Sequence, residues 1–341
     1  MIFLTKGIAI AGTIAVDEIK VIDQYPQKSE LTTIKSVQKS IGGAVSNCSV
    51  GLAKIDESLV VEAIALLGDD ERGHFLYDRL SKYKNIRLEH MKFTGETPFT
   101  DVIQDLSDKT RTFFTFKGNS TLFNEHSFEL TKLNARILHV AYILLLDALD
   151  QQDSEYGTKM AKLLKKAQDL GIKTSIDIVS ENNNRYENIV PPSLKYTNYC
   201  VINEYEAGKT AGIELRDKGG NLLASRIKQV LFKLKDFGVQ DWVVIHTPEG
   251  SFGYDGSTLH SVPSLKLEKE SIKGTVGAGD AYLSGLLYGA YKELSLLDSM
   301  KIATAAAASS LFEEDSTSGI KSFPELITLY NSYPKRDETF I

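Results

Sequence analysis

The period of the apolar positions changes several times along this chain. Residues 7–12, GIAIAG, form a short apolar run that turns at Gly12, the pattern of a buried strand. EIKVID (18–23) and TTIKSVQKS (32–40) then alternate apolar and polar residues, which predicts half-exposed strands. Paired glycines at 42 and 43 open a segment with helical spacing (Val45, Cys48, Val50, Leu52) that runs to 55. VVEAIALLG (60–68) predicts a buried strand, GDDERG (68–73) a turn, and the residues after it a helix through Leu80. Alternation returns between about 93 and 118, in TDVIQDL and TRTFFTF.

Beyond residue 135 the rhythm is regular. RILHVAYILL, IKTSIDIV, YCVI and DWVVIHT predict strands. EYGTKMAKLLKKAQDLG and SRIKQVLFKLKDFG predict amphipathic helices, each stopped by a glycine. A further helix runs from Ala281 to Leu294, with Leu283, Leu286, Leu287, Ala290 and Tyr291 on one face, and another covers 303–312. Short apolar strands alternating with helices predict an α/β protein whose mainly parallel central sheet carries helices on both faces. The segments at approximately 13–40 and 93–118 break that rhythm. They predict a small, one-sided β-sheet lid inserted in a single domain spanning residues 1–341.

Composition narrows the function classes. The chain has 341 residues, 42% of them apolar and 25% charged, enough for a core of ordinary size. A formal net charge of −6 argues against nucleic-acid binding, which needs clustered Lys and Arg. Cys48 and Cys200, each among apolar residues and without neighbouring His or Cys, predict buried thiols in a reduced cytoplasmic protein. The apolar start contains Lys6 and passes directly into a strand pattern, which argues against a signal peptide. No run approaches the ~18 apolar residues of a membrane span.

The candidate chemistry lies in the loops. In KGTVGAGD (273–280), Gly277, Ala278 and Gly279 stand at a helix start, where free N–H groups and the helix dipole favour an anion. Asp280 beside them suits a base that takes a proton from an attacking hydroxyl, or a plain helix cap. Gly42, Gly43 and Asn47 open a second helix. Asn203 and Glu206, three apart at a third, suit either a hydrated Mg²⁺ or a capping pair. Asp17 follows the first strand, at the edge where open α/β sheets bind ligands.

Taken in order, Asp17, Gly42/Gly43/Asn47, GDDERG, Asn203/Glu206 and Gly277–Asp280 resemble the motifs of the ribokinase-like (PfkB) carbohydrate kinases over essentially the whole chain. The resemblance implies a ribokinase-like fold and an ATP-dependent sugar kinase, with Asp280 as general base and Gly277, Ala278 and Gly279 as the anion hole. It implies that Asp17, Gly42, Gly43 and Asn47 hold the sugar, with Asp147 and Arg111 as further contacts. On the same resemblance Asn203 and Glu206 order Mg²⁺ through water, and His246, Thr247, Gly250 and Thr275 line the nucleotide site. The family's usual Asp-Thr before the glycine loop is Gly274-Thr275 here, which puts K⁺ activation in doubt. A nucleoside kinase, with Phe99, Phe113, Phe114 and Phe116 near a base, and a non-catalytic sugar or nucleotide sensor are the alternatives. An exposed lid sheet would invite a homodimer.

Overall fold

The computed structural model describes residues 7–108 and 110–336; Lys6, used above against a leader sequence, lies outside them. In chain order the principal strands are β1 (Ile8–Gly12), β2 (Ala15–Ile22), β3 (Ile34–Gly42), β4 (Val61–Ile64), β5 (Ile86–Arg87), β6 (Phe99–Asp105) and β7 (Arg111–Phe116). They continue with β8 (Ile137–Ile143), β9 (Lys173–Ile178), β10 (Tyr199–Asn203), β11 (Trp242–His246), β12 (Gly250–Tyr254) and β13 (Leu259–Pro263). The helices are α1 (Gly43–Ile55), α2 (Glu71–Leu80), α3 (Lys159–Asp169), α4 (Tyr186–Leu194), α5 (Glu204–Ala211), α6 (Ala224–Asp236), α7 (Ala278–Tyr291), α8 (Leu296–Ser310) and α9 (Phe323–Ser332).

Nine strands form the central sheet in the order β13-β12-β11-β10-β9-β8-β1-β4-β5. Every pairing from β11 across to β5 is parallel. The β12–β13 hairpin, which the periodicity left unassigned, adds an antiparallel edge beyond β11. The two-residue period of β1 explains how one strand serves two cores: Ile8 and Ile10 pack on one face, Ala9 and Ala11 on the other. On the first face lie α1, α2, α7, α8 and Leu326 of α9; on the second lie α3, α4, α5 and α6. From β1 the chain turns one way to β4 and later returns to the other side at β8. The carboxyl ends of β1 and β8 therefore flank a topological switch point, where such sheets form ligand crevices.

β3, β2, β6 and β7 form a second sheet of four strands, antiparallel except for the β2–β6 pair. It arises from the two segments whose alternation differed from the rest, and its base is pinned to the main body. Asp70 accepts hydrogen bonds from Gly73 N at the start of α2, and from Thr97 N and Oγ1 just before β6. The GDDERG turn is thus a joint between core and small sheet. Two boundaries move from their expected places. Residues 152–153 and 157–158 pair as a short ladder and Thr158 caps α3, so that helix starts at Lys159 rather than near 155. α7 begins at Ala278, three residues before the apolar face suggested.

Gly12 ends β1 at the switch point with φ of 122°, and a β-carbon there would run into the Ala141 carbonyl on β8. Gly12→Ala therefore combines backbone strain with a clash against main chain that cannot step aside. It is expected to lower unfolding free energy by more than about 3 kcal/mol, read from urea denaturation of variant and wild type.

Candidate active site

Four parallel strands deliver side chains to one crevice from their carboxyl ends: Tyr142 from β8, Asp177 from β9, Asn203 from β10 and His246 from β11. The small sheet brings Asp17 on β2, and the start of α1 brings Gly43 and Asn47. α7 points its N-terminus into the same space. Gly277 is its N-cap, and the first intrahelical bond runs from Ala281 N to the Gly277 carbonyl. The backbone N–H groups of Gly277, Ala278 and Gly279 precede that bond, so they lie where an anion is best held.

Asp280, in the first turn of α7, is buried rather than exposed. Its two oxygens are separately held: Asn47 Nδ2 donates to Oδ2 at 2.8 Å and the Tyr142 hydroxyl donates to Oδ1 at 2.8 Å. Burial raises its pKa above the ordinary carboxylate value, partly offset by these donors and the Cys48 thiol. It is not the helix cap, which removes the bland alternative for this residue.

Asp17 lies under the start of α1. A β-carbon at Gly42 would come within 2.5 Å of both Asp17 carboxylate oxygens, so the pair packs only because that residue is glycine. Desolvation first, and the Asp280 charge second, lift the Asp17 pKa to about 7. Asp177 is pushed well above its usual value by burial, then by Glu206 and Asp280. Glu206 itself rises to about 7 through burial. Like charges crowded at strand ends, away from water, explain all these directions.

Asn203 and Glu206 do form the capping box that was one reading of their spacing. Asn203 Oδ1 accepts from Glu206 N at 2.9 Å, and Glu206 Oε2 accepts from Asn203 N at 3.0 Å. Glu206 Oε1 further accepts from the Ser180 hydroxyl at 2.6 Å. Both residues nonetheless line the crevice beside Asp177, so capping and ligand contact are compatible. Among the described residues no cluster of three or more His, Cys, Asp or Glu forms a closed metal cage. Glu206 and Asp177 carry carboxylate oxygens and Asn203 an amide oxygen, the donor type Mg²⁺ takes when it keeps most of its waters.

Two cavities share the end of α7. One, of about 560 Å³, contains Asp17, Asn47, Tyr142, Asp177 and Asp280. The other, of about 520 Å³, is mostly apolar and runs between α8 and the 264–272 segment, past Leu267, Ile272, Thr304, Ala307 and Ala308. Asn203, His246 and Gly279 line both. Thr247, Gly250, Thr275 and Ala278 belong to the second cavity. The Thr247 hydroxyl closes its own turn by donating to the Gly250 carbonyl at 3.0 Å. His246 stacks on Tyr282, ring centroids 5.1 Å apart, and burial lowers its pKa to about 4, so the ring is neutral. The small residues of α8 serve both suggested purposes: Ala307 and Ala308 wall the cavity, while Ala303 sits against Gly285 of α7.

Two expected contacts are placed differently. Arg111 opens β7 opposite Gln104, at the far end of the small sheet, and does not line the cavity; Lys117, six residues on, does. Asp147 is half exposed and does not line the cavity; its Oδ1 accepts from Lys117 Nζ at 2.7 Å. Gly274 packs against the carbonyls of Glu313 and Glu314, with no space for the side chain of the usual aspartate. Tyr142, Asp177 and Lys117 were not singled out from sequence. The polar residues that end apolar strands, in HVAYI and SIDI, were the available signal for the first two.

A two-lobed crevice at a switch point, with a helix N-terminus between its lobes and a buried carboxylate beside it, defines a group-transfer enzyme of the sugar-kinase type. Residues 8–322 match the model of the pfkB family carbohydrate kinases, and the chain belongs to that family. It is a phosphotransferase, a sugar or nucleoside kinase. The chain is 25% identical to a nucleoside kinase of Methanocaldococcus jannaschii, over 90% of this chain and 91% of that one. It is also 25% identical to a 5-dehydro-2-deoxygluconokinase of Clostridium beijerinckii, over 87% and 84% of the two chains. An Arabidopsis thaliana ribokinase complexed with ribose and ATP shares the ribokinase-like fold, with a TM-score of 0.79 at 17% identity over 96% of this chain and 99% of that one.

The Asp17 shift makes a stability prediction. The folded chain keeps a proton that the unfolded chain has released between pH of about 4 and about 7, so this group's contribution to stability falls as pH rises through that window. Asp17→Asn should raise Tm by a few degrees at pH 8 and leave it unchanged at pH 4, followed by calorimetry at both values.

Proposed function

We propose that this protein transfers the γ-phosphoryl group of ATP to a hydroxyl of a small carbohydrate, with Asp280 as the general base. The observation that carries the reading is the meeting of the two cavities at Gly279, within the first turn of α7 that also holds Asp280. ATP occupies the apolar cavity with its phosphates toward α7, and the acceptor occupies the carboxylate-lined one, gripped by Asp17, Gly42, Gly43 and Asn47. The acceptor O–H gives its proton to Asp280 as its oxygen bonds to the γ-phosphorus. The bond from that phosphorus to the β,γ-bridging oxygen breaks, and ADP leaves. N–H groups at Gly277, Ala278 and Gly279 face the oxygens on which charge is spread. Mg²⁺, when bound through water to Asn203 and Glu206 with Asp177 beside them, supplies charge neutralisation at the phosphates. We assign no requirement for K⁺.

The four-stranded sheet closes over the acceptor in this reading, since Thr100, Phe113 and Thr115 already overhang that cavity. Its edge strand β7 also exposes Phe114 and Phe116, which supports a homodimer through this sheet. A cytoplasmic location fits the two buried free thiols. Phe113 favours a second reading, in which a nucleoside base stacks against it and the same residues phosphorylate the sugar. A sensor needs no buried carboxylate held ready by Asn47 and Tyr142.

Asp280→Asn retains size but cannot accept a proton. Its kcat should fall by roughly 10²–10⁴, with ADP affinity unchanged or improved. ADP release and ADP binding measured on one preparation check both halves, and a near-normal kcat would sink the mechanism.

A further inference from the structure

The charges around the acceptor cavity bear on which acceptors it admits. Asp17, Asp177, Glu206 and Asp280 all face it. Among the described residues that line it, Lys117 is the one lysine or arginine, and its ammonium is bound to Asp147. His246 is neutral, as shown above. The cations on neighbouring elements are committed elsewhere. Arg72 pairs with Glu18 and lies over the Phe99 ring at 4.0 Å. Lys20 pairs with Glu18 and Asp101, and Arg185 with Glu181. Arg111 is at the distant end of β7.

We propose that this cavity selects an uncharged polyhydroxy acceptor and rejects sugar acids and sugar phosphates, because four carboxyl groups face it while its one lysine is already neutralised by Asp147. The inference rests on reading this cavity as the acceptor site. A hydroxyl suits the lining: it donates to carboxylate oxygens, which only accept when ionised, and accepts from donors such as Ser120 and Lys117. Pro98, Phe113 and Val179 offer apolar surface to the carbon face of a neutral ring. A carboxylate or phosphate on the acceptor is a different matter. It needs a charge-assisted partner, usually an arginine fork or a free lysine, and among the described residues lining this cavity none is free.

Lys117 also provides a variant that acts in the opposite direction. Its partner Asp147 does not line the cavity, so Asp147→Asn would free the ammonium to meet an acceptor anion.

The test is kcat/KM from ADP release, at fixed ionic strength, over two acceptor sets. The neutral set holds aldoses, ketoses, polyols and nucleosides; the anionic set holds aldonic and 2-keto acids and hexose and pentose phosphates. The best neutral acceptor should exceed every anionic one by roughly tenfold or more. Asp147→Asn should move the anionic-to-neutral ratio upward by about tenfold, while Lys117→Met in the same background cancels that gain. An anionic acceptor within tenfold of the best neutral one overturns the proposal, as does the absence of turnover across the neutral set. An unchanged ratio in Asp147→Asn overturns the role given to the lysine pair. Calorimetric ADP binding on the same preparation separates the two readings. Protein that binds ADP and fails these criteria refutes the acceptor assignment alone, whereas protein that binds no ADP refutes the kinase reading.

Discussion

The crevice depends on one buried carboxylate kept in place by two neutral donors. Asp280 lies where water is excluded, and Asn47 and Tyr142 each fix one of its oxygens. Neither donor carries a charge, so the carboxylate is oriented without being neutralised, and its pKa rises rather than falls. A lysine in either position would have held it in the ionised form. The two donors come from opposite sides of the switch point, Asn47 from α1 beside β1 and Tyr142 from the end of β8. The geometry therefore exists only when the central sheet is assembled, which ties the chemistry to the fold rather than to any local segment.

The same arrangement opposes stability. Bringing Asp17, Asp177, Glu206 and Asp280 toward one space costs desolvation and mutual repulsion, and part of that cost is relieved by holding protons. What resists it is the pair of apolar layers on either side of the sheet, into which β1 feeds alternate residues. Capping bonds absorb a further part. Glu206 spends its oxygens on Asn203 and Ser180 while still facing the crevice, so one residue both closes the start of α5 and contributes charge to the site.

Much of this was legible in the sequence because it follows from local rules. The two-residue period of 18–23 and 32–40 against the strand–helix rhythm after 135 separated the small sheet from the central one. Gly42 and Gly43, and Gly277 and Gly279, marked the helix starts, since bare backbone there serves either a turn or an anion. Where the reading went astray, the cause was distance in the chain. Arg111 and Lys117 lie six residues apart on and after one strand, and only the register of β7 against β6 shows which end overhangs the cavity. The Lys117–Asp147 pair joins segments 30 residues apart, so Asp147 could not be recognised as a counterion rather than a ligand. Nothing local to Asp280 announces that Asn47, 233 positions earlier, donates to it. Tyr142 and Asp177 look like ordinary strand ends until the sheet order aligns them.

The division of the crevice follows from where α7 sits. Its N-terminus separates an apolar slot, bounded by α8 and the 264–272 segment, from a polar one bounded by the small sheet. On one side of the slot α8 packs into the core through Ile302, Ala303, Ala305 and Ala306, while the 264–272 segment opposite is anchored by buried Leu265 and otherwise largely exposed. The polar lobe is bounded by β2, β6 and β7, whose sheet joins the body through Val16, Ile41 and Phe99 at the core, the Asp70–Thr97 joint and the Arg72–Glu18 pair. Gly279 lines both lobes, and Asp280 beside it lines the polar one while already shielded from water, so the buried carboxylate stands on the helix turn that separates the two.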